Sequence, residues 1–155
     1  MNLGYACMNM TLSGLPKSKR ITTNRGMIQR TFRAKGKPYA SELGLQNCKD
    51  LYKILEWNLA NGFYFFRLTS NLFPWSSEYE LEELPDYQEI KAILKRCGDF
   101  ARKYGMRITT HPGPFNVLGS PNPKVVDKTI KELNDHSEIF DLMGLPATPW
   151  AKINI

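Results

Sequence analysis

The apolar positions change period several times along the chain, and each change predicts an element. Asn2 to Cys7 is short, apolar and rich in β-compatible residues, which predicts a first strand. Leu51, Ile54, Leu55 and Leu59 fall at helical spacing, and Asn61-Gly62 is a stop signal. Phe63 to Leu68 is a continuous apolar and aromatic run, as expected of a strand covered on both faces. A second helix is predicted near Asp86 to Tyr104, where Ile90, Ile93, Leu94, Cys97 and Ala101 make one stripe before Gly105. Met106 to Thr110 reads as a third strand. Asn122 then offers an N-cap, with Pro123 at the first helical position, and Val126, Ile130 and Leu133 continue a stripe that Gly144 closes. Trp150 to Ile155 predicts a fourth strand.

Strands and helices therefore alternate, which implies parallel strands joined by right-handed crossovers. The second and third strand-to-strand intervals are each about 43 residues, the size of one βα unit. Eight such units would need roughly 300 residues with insertions. The 155 residues present supply about half of that. The expected architecture is α/β, the N-terminal half of a TIM (β/α)8 barrel, with residues 1–155 forming a single partial domain truncated after the fourth strand.

Composition narrows the class without fixing the function. The chain is 42% hydrophobic and 23% charged, ordinary for a globular protein. No run approaches the ~18 apolar residues of a membrane span, and the N-terminus lacks the basic and apolar regions of a secretory signal. Cys7, Cys48 and Cys97 are odd in number, widely spaced and without a C-x-x-C pair, so reduced thiols and a cytoplasmic location are expected.

Charge changes the picture more. Lys17, Lys19, Arg20, Arg25, Arg30, Arg33, Lys35 and Lys37 lie between Thr11 and Ser41 with no acidic residue among them. The other 13 basic residues face all 15 acidic ones, so the whole excess of +6 resides in this segment. Glycines and prolines punctuate it, and residues 11–43 read as a basic, irregular DNA-binding loop inserted after the first strand, with a weak helical tendency from Met27 to Arg33. Clustered cations of this kind displace counterions from a phosphate backbone. The competing reading is a solvated loop whose charge aids solubility.

In a βα barrel the chemistry lies at the C-terminal strand ends. Those ends are Cys7 to Asn9, Thr69 to Asn71, and His111 with its Pro-Gly-Pro-Phe loop. His111, one of two histidines, is a candidate metal ligand, against a bland alternative in which a local hydrogen bond satisfies it. His136 reads as a partly exposed structural residue on the third helix. One histidine cannot hold a catalytic metal, which takes about three protein ligands. Tyr5 and Phe115 are aromatics at the expected mouth that could stack on an unpaired base, although Tyr5 could equally be core. Asn9 could donate to a phosphate or a metal-bound water, and Asn24 with Arg25 could grip phosphate. Trp75 is either a minor-groove wedge or, as favoured, a cap over a helix.

Taken together, Leu3-Gly4-Tyr5-x-Cys7-x-Asn9, Thr22-Thr23-Asn24-Arg25, Phe66-Arg67-Leu68-Thr69-Ser70, His111-Pro112-Gly113 with Ser120-Pro121, Asp141 to Leu145 and Ile153-Asn154-Ile155 resemble the UV damage endonucleases in order and spacing. The resemblance covers essentially the whole chain. It implies a barrel of the xylose-isomerase-like, endonuclease IV-like type and up to three divalent metals, typically manganese. The implied reaction nicks double-stranded DNA immediately 5′ of pyrimidine dimers or 6-4 photoproducts. It further implies that His111 is a metal ligand, and that Tyr5, Pro114 and Phe115 probe the gap at the lesion. Lys17, Lys19, Arg20, Asn24, Arg25, Asn71 and Gly113 complete the expected DNA-facing set, and a monomer is expected for the complete protein. Two departures stand out. Pro114 occupies a position where relatives commonly carry glutamine, and Asn71 one where some carry histidine. The remaining metal ligands would follow Ile155, so this chain alone is expected to be inactive. Alternatives from other classes are a sugar isomerase or epimerase of the same fold, and a non-catalytic DNA-binding half-barrel that dimerises.

Overall fold

The computed structural model describes residues 3–155. The predicted first residue of strand one, Asn2, lies outside the described residues. Three short parallel strands, β1 (Gly4–Ala6), β2 (Phe65–Arg67) and β3 (Arg107–Thr109), stand in sequence order. Gly4 pairs with Phe65, which pairs with Arg107, so Tyr5, Phe66 and Ile108 lie in one row across the sheet. That row turns into the apolar layer under the helices: Phe66 and Ile108 are buried there, and Tyr5 packs against it. Successive strand residues face opposite ways. The other face therefore carries Gly4, Ala6, Phe65, Arg67, Arg107 and Thr109. Two polar atoms on that face, Arg67 Nε and Thr109 Oγ1, are buried without a partner.

After β1 the chain makes one helical turn, α1 (Met10–Ser13), and then the long helix α2 (Gln29–Ala60). The basic segment is therefore not irregular from 11 to 43: its second half is helical, in keeping with the weak helical tendency from Met27 to Arg33 but extending well past it. Gly36, at φ 63°, ψ −156°, breaks α2 in two, and Pro38 follows in the first turn of the second part, where its missing N–H costs nothing. Sequence periodicity placed the start of this helix too late for a physical reason. The buried face between Ala40 and Leu51 is made largely of Ser41, Gly44, Asn47 and Asp50, small or polar residues that do not register as an apolar stripe.

Helix α3 (Tyr87–Lys103) is close to its predicted span and buries Ile90, Leu94, Cys97 and Ala101. Helix α4 (Pro123–Met143) starts as predicted, with Asn122 accepting from the Lys124 N–H at 3.0 Å, and ends on Gly144. The two helices approach closely at Gly98, where a β-carbon would lie 1.7 Å from the Met143 carbonyl oxygen. The fourth strand is reduced to a single parallel bridge, Thr110 with Ile153. Thr110 N–H donates to Lys152 O at 3.1 Å and Asn154 N–H to Thr110 O at 2.8 Å, so the neighbour and direction expected for that strand are present without its length. Among the described residues no helix is long and apolar enough to cross a membrane.

Candidate functional site at the strand ends

The C-terminal ends of β1, β2 and β3 bring Cys7, Thr69 and His111 together. Cys7 continues the ladder by donating its N–H to Arg67 O at 2.8 Å, then turns with φ 61°, unusual for a residue with a side chain. Its carbonyl accepts from Asn24 Nδ2 at 2.9 Å and from Thr23 Oγ1 at 3.4 Å. Asn24 Oδ1 in turn accepts from Thr69 Oγ1 at 2.7 Å, tying the end of β1 to the end of β2. In this turned conformation Cys7 Sγ lies 3.2 Å from His111 Nε2. Burial pushes the Cys7 thiol up, with Arg67 opposing, so the sulfur keeps its proton and is a weak donor to the imidazole.

His111 is half-buried, and its Nδ1 lies 2.9 Å from Pro112 O. A carbonyl oxygen can only accept, so Nδ1 carries the proton in this contact and Nε2 presents a lone pair. That is the state a metal-binding imidazole requires. Among the described residues, however, no three His, Cys, Asp or Glu side chains are placed to hold one ion. His111 fits a divalent metal as a single donor, and the described residues do not enclose a site by themselves.

Several expected DNA-facing side chains have internal partners. Asn9 is buried and caps α1, accepting from the Leu12 N–H at 2.9 Å and donating to the Tyr5 hydroxyl at 2.7 Å. Tyr5 donates onward to Asn58 and meets Phe63 and Phe66 edge-on, so it serves the aromatic layer at the same time. Arg25 Nη1 lies 2.7 Å from Asp50 Oδ2 and donates to Thr22 O, while Nη2 donates to Arg20 O. These bonds make Asn24 and Arg25 staples of the loop in this conformation, not free phosphate grips. Lys17, Lys19 and Arg20 are exposed, and among the described residues none of the three is in an ion pair. Asn71 is exposed on the β2 loop. Trp75 donates its indole N–H to Met27 O and stacks on Phe32, so it covers the start of α2, as the cap reading expects.

The loop after β3 differs in kind. Pro114 is exposed, and Phe115 is 89% exposed, with Val117 and Leu118 about half as much. Gly113 is tied through its N–H to the Glu132 carboxylate. His136 corrects the sequence expectation. It is buried at 4% exposure, with Nδ1 3.2 Å from Thr110 Oγ1. The reason is the phase of α4, which sets Thr129, Glu132 and His136 along the side facing the β3 loop. The His136 imidazole, 3.9 Å from the Glu132 oxygen, together with the Gly113 N–H and Asn116, holds Glu132 down to about 2 against burial.

Glu132, Asn47 and Asp50 are the contributors that sequence reasoning missed. Asn47, fully buried, accepts from the Arg25 N–H and donates to Arg25 O and Leu72 O. A polar residue at helical spacing inside a buried stripe was the available signal for Asn47 and Asp50. Glu132 gave none beyond lying four residues before a histidine. An apolar cleft of about 330 Å³ lined by Met106, Ile108, Leu145 and Trp150 lies at the opposite end of β3, away from His111.

Comparison with known proteins now bears on these strand ends. The model of the UV-endonuclease UvdE family matches residues 1–155. The chain belongs to that family. A UV-damage endonuclease of Schizosaccharomyces pombe is 36% identical over 143 residues, 92% of this chain and 23% of the relative. The UV DNA damage endonuclease of Clostridium perfringens is 33% identical over 141 residues, 91% of this chain and 32% of the relative. The crystal structure of SacUVDE superposes with a TM-score of 0.82 at 29% identity, covering 99% of this chain and 48% of that one. The α/β fold with its parallel sheet is thus that of part of SacUVDE, and the chain spans less than half the length of these proteins.

Proposed function

We propose that this chain forms part of a DNA-repair endonuclease that nicks the phosphodiester immediately 5′ of UV photoproducts by metal-assisted hydrolysis. The observation that carries the reading is His111: a strand-end imidazole with Nδ1 committed to a carbonyl and an Nε2 lone pair opposed only by the weak Cys7 thiol donor, in a chain of the UvdE family. Divalent metal, manganese by resemblance, supplies Lewis acidity and an activated water when bound. His111 holds one coordination position, and the remaining ligands come from βα units beyond those described. Lys17, Lys19 and Arg20 neutralise phosphates on the same end of the sheet. Phe115 offers a stacking face to a base unpaired by the lesion, whereas Pro114, with no amide side chain, cannot read a base edge. The buried, unpartnered Arg67 Nε and Thr109 Oγ1, on the sheet face opposite the helices, favour partners supplied by further strands, as a barrel would provide. A small neutral sugar would need neither the exposed aromatic nor the basic loop.

The test is nicking of a UV-irradiated duplex with manganese, by this chain alone and by a form extended through four further βα units. The chain alone is expected to be inactive and the extended form to cut. An extended form that leaves the irradiated strand intact refutes the endonuclease reading, and activity surviving His111→Ala refutes the ligand role.

A further inference from the structure

The turn that carries His111 is governed from α4 through one peptide plane. The Gly113 N–H donates to Glu132. The Pro112 carbonyl, the other end of the same amide, accepts from His111 Nδ1 at 2.9 Å. No cis peptide occurs among the described residues, so this N–H and C=O point in opposite directions. An acceptor that fixes the N–H therefore also fixes the direction of the carbonyl. A carboxylate on an amide N–H polarises the unit and makes its oxygen a better acceptor. One helical turn along α4, His136 contacts Thr110 Oγ1 at 3.2 Å, so the same helix grips the chain on both sides of His111. Asn116 Nδ2 donates to Gly113 O at 2.9 Å and closes the turn from its far side.

We propose that Glu132 is a positioning residue that, through the Pro112–Gly113 peptide, locks His111 as the Nδ1-protonated tautomer with its Nε2 lone pair facing the Cys7 thiol at the strand ends. The usual arrangement around a metal-binding histidine places a carboxylate or carbonyl directly on the remote ring nitrogen. Here the carboxylate acts one peptide away. This deepens the proposed function and rests on His111 being the metal-facing group, yet the tautomer is measurable without any metal.

The experiment is a long-range ¹H–¹⁵N spectrum of the 155-residue chain labelled at histidine, at a pH where the imidazole is neutral. With two histidines, a His111→Gln control assigns the signals. The wild type is expected to show His111 protonated at Nδ1. Glu132→Ala is expected to lose that pattern in favour of Nε2–H or a mixture, and its Gly113 amide to exchange roughly tenfold faster or more, as one charge-assisted hydrogen bond is lost. Glu132→Gln keeps an acceptor oxygen in place and should restore the Nδ1–H pattern with intermediate exchange. A folded Glu132→Ala protein whose His111 spectrum is unchanged overturns the proposal. Should that variant not fold, the wild type decides: an Nε2–H His111 or an unprotected Gly113 amide overturns it equally. Failure of the extended form to nick DNA would sink the endonuclease reading while leaving these spectra as predicted.

Discussion

The loops after β1 and β3 face the same end of the sheet but are built on opposite plans. The β1 loop spends its polar side chains inward. Asn24 joins two strand ends, Arg25 is clasped by the buried Asp50 and two carbonyls, and Asn47 takes both backbone groups of Arg25. Its outward charges, Lys17, Lys19 and Arg20, thus stand on a fixed base. The β3 loop is held near its root by Glu132 and Asn116 and leaves the apolar Phe115, Val117 and Leu118 in solvent. Apolar side chains kept in water contribute nothing to folding, whereas charges on a rigid base give a field of fixed shape. Under the proposed function, this difference suits the β1 loop to a phosphate backbone and the β3 loop to the bases that the backbone carries.

The largest way to break this contrast is Asp50→Ala. Asp50 is 1% exposed and also accepts from the Thr22 N–H, so removing it takes the counter-charge from a partly buried guanidinium, which keeps only its two carbonyls, and leaves a backbone donor without its partner. A loss of about 2–3 kcal/mol in denaturant unfolding is expected. A loss under about 0.5 kcal/mol, the range of ordinary surface changes, would mean that the β1 loop is not stapled as described.

The β3 loop should respond to acid instead. Glu132 is held at about 2, below its ordinary 4.5, so its contribution is present above the ordinary value and disappears as pH falls through that interval. Because the side chain is partly exposed, the effect is on the order of 1 kcal/mol. Glu132→Ala should flatten the stability profile between about pH 4.5 and 2, and an unchanged acid limb would show that His136 and the Gly113 N–H do not together hold the carboxylate ionised.

The contrast also explains what the sequence could disclose. Parallel strands, α3, and both ends of α4 were legible because apolar spacing and the Asn122-Pro123 and Gly144 signals are local. The place of His111 at a strand end followed from the same alternation. The internal roles of Asn9, Asn24 and Arg25 were not legible, because a residue that grips phosphate and one that grips a carbonyl share the same composition. Burial of His136 depended on the rotational phase of α4 against β3, a tertiary property. The early start of α2 was hidden by polar residues that pack in place of apolar ones.

Neutralising Lys17, Lys19 and Arg20 together should leave stability unchanged and weaken duplex binding. The salt dependence of log K should flatten by roughly one for each lost phosphate contact. An unchanged slope would return these residues to a solvating role.

The most direct test of the division between the loops is the ratio of affinities for UV-irradiated and unirradiated duplex, measured for the wild type and for Phe115→Ala in the extended form. Phe115 is 89% exposed, so its removal should not alter the unfolding midpoint. The account predicts that the variant loses most of the preference for irradiated DNA, by about 1–3 kcal/mol for one lost stacking contact. Its affinity for unirradiated duplex and its salt slope should stay as they were. A preference that survives Phe115→Ala intact would contradict the account.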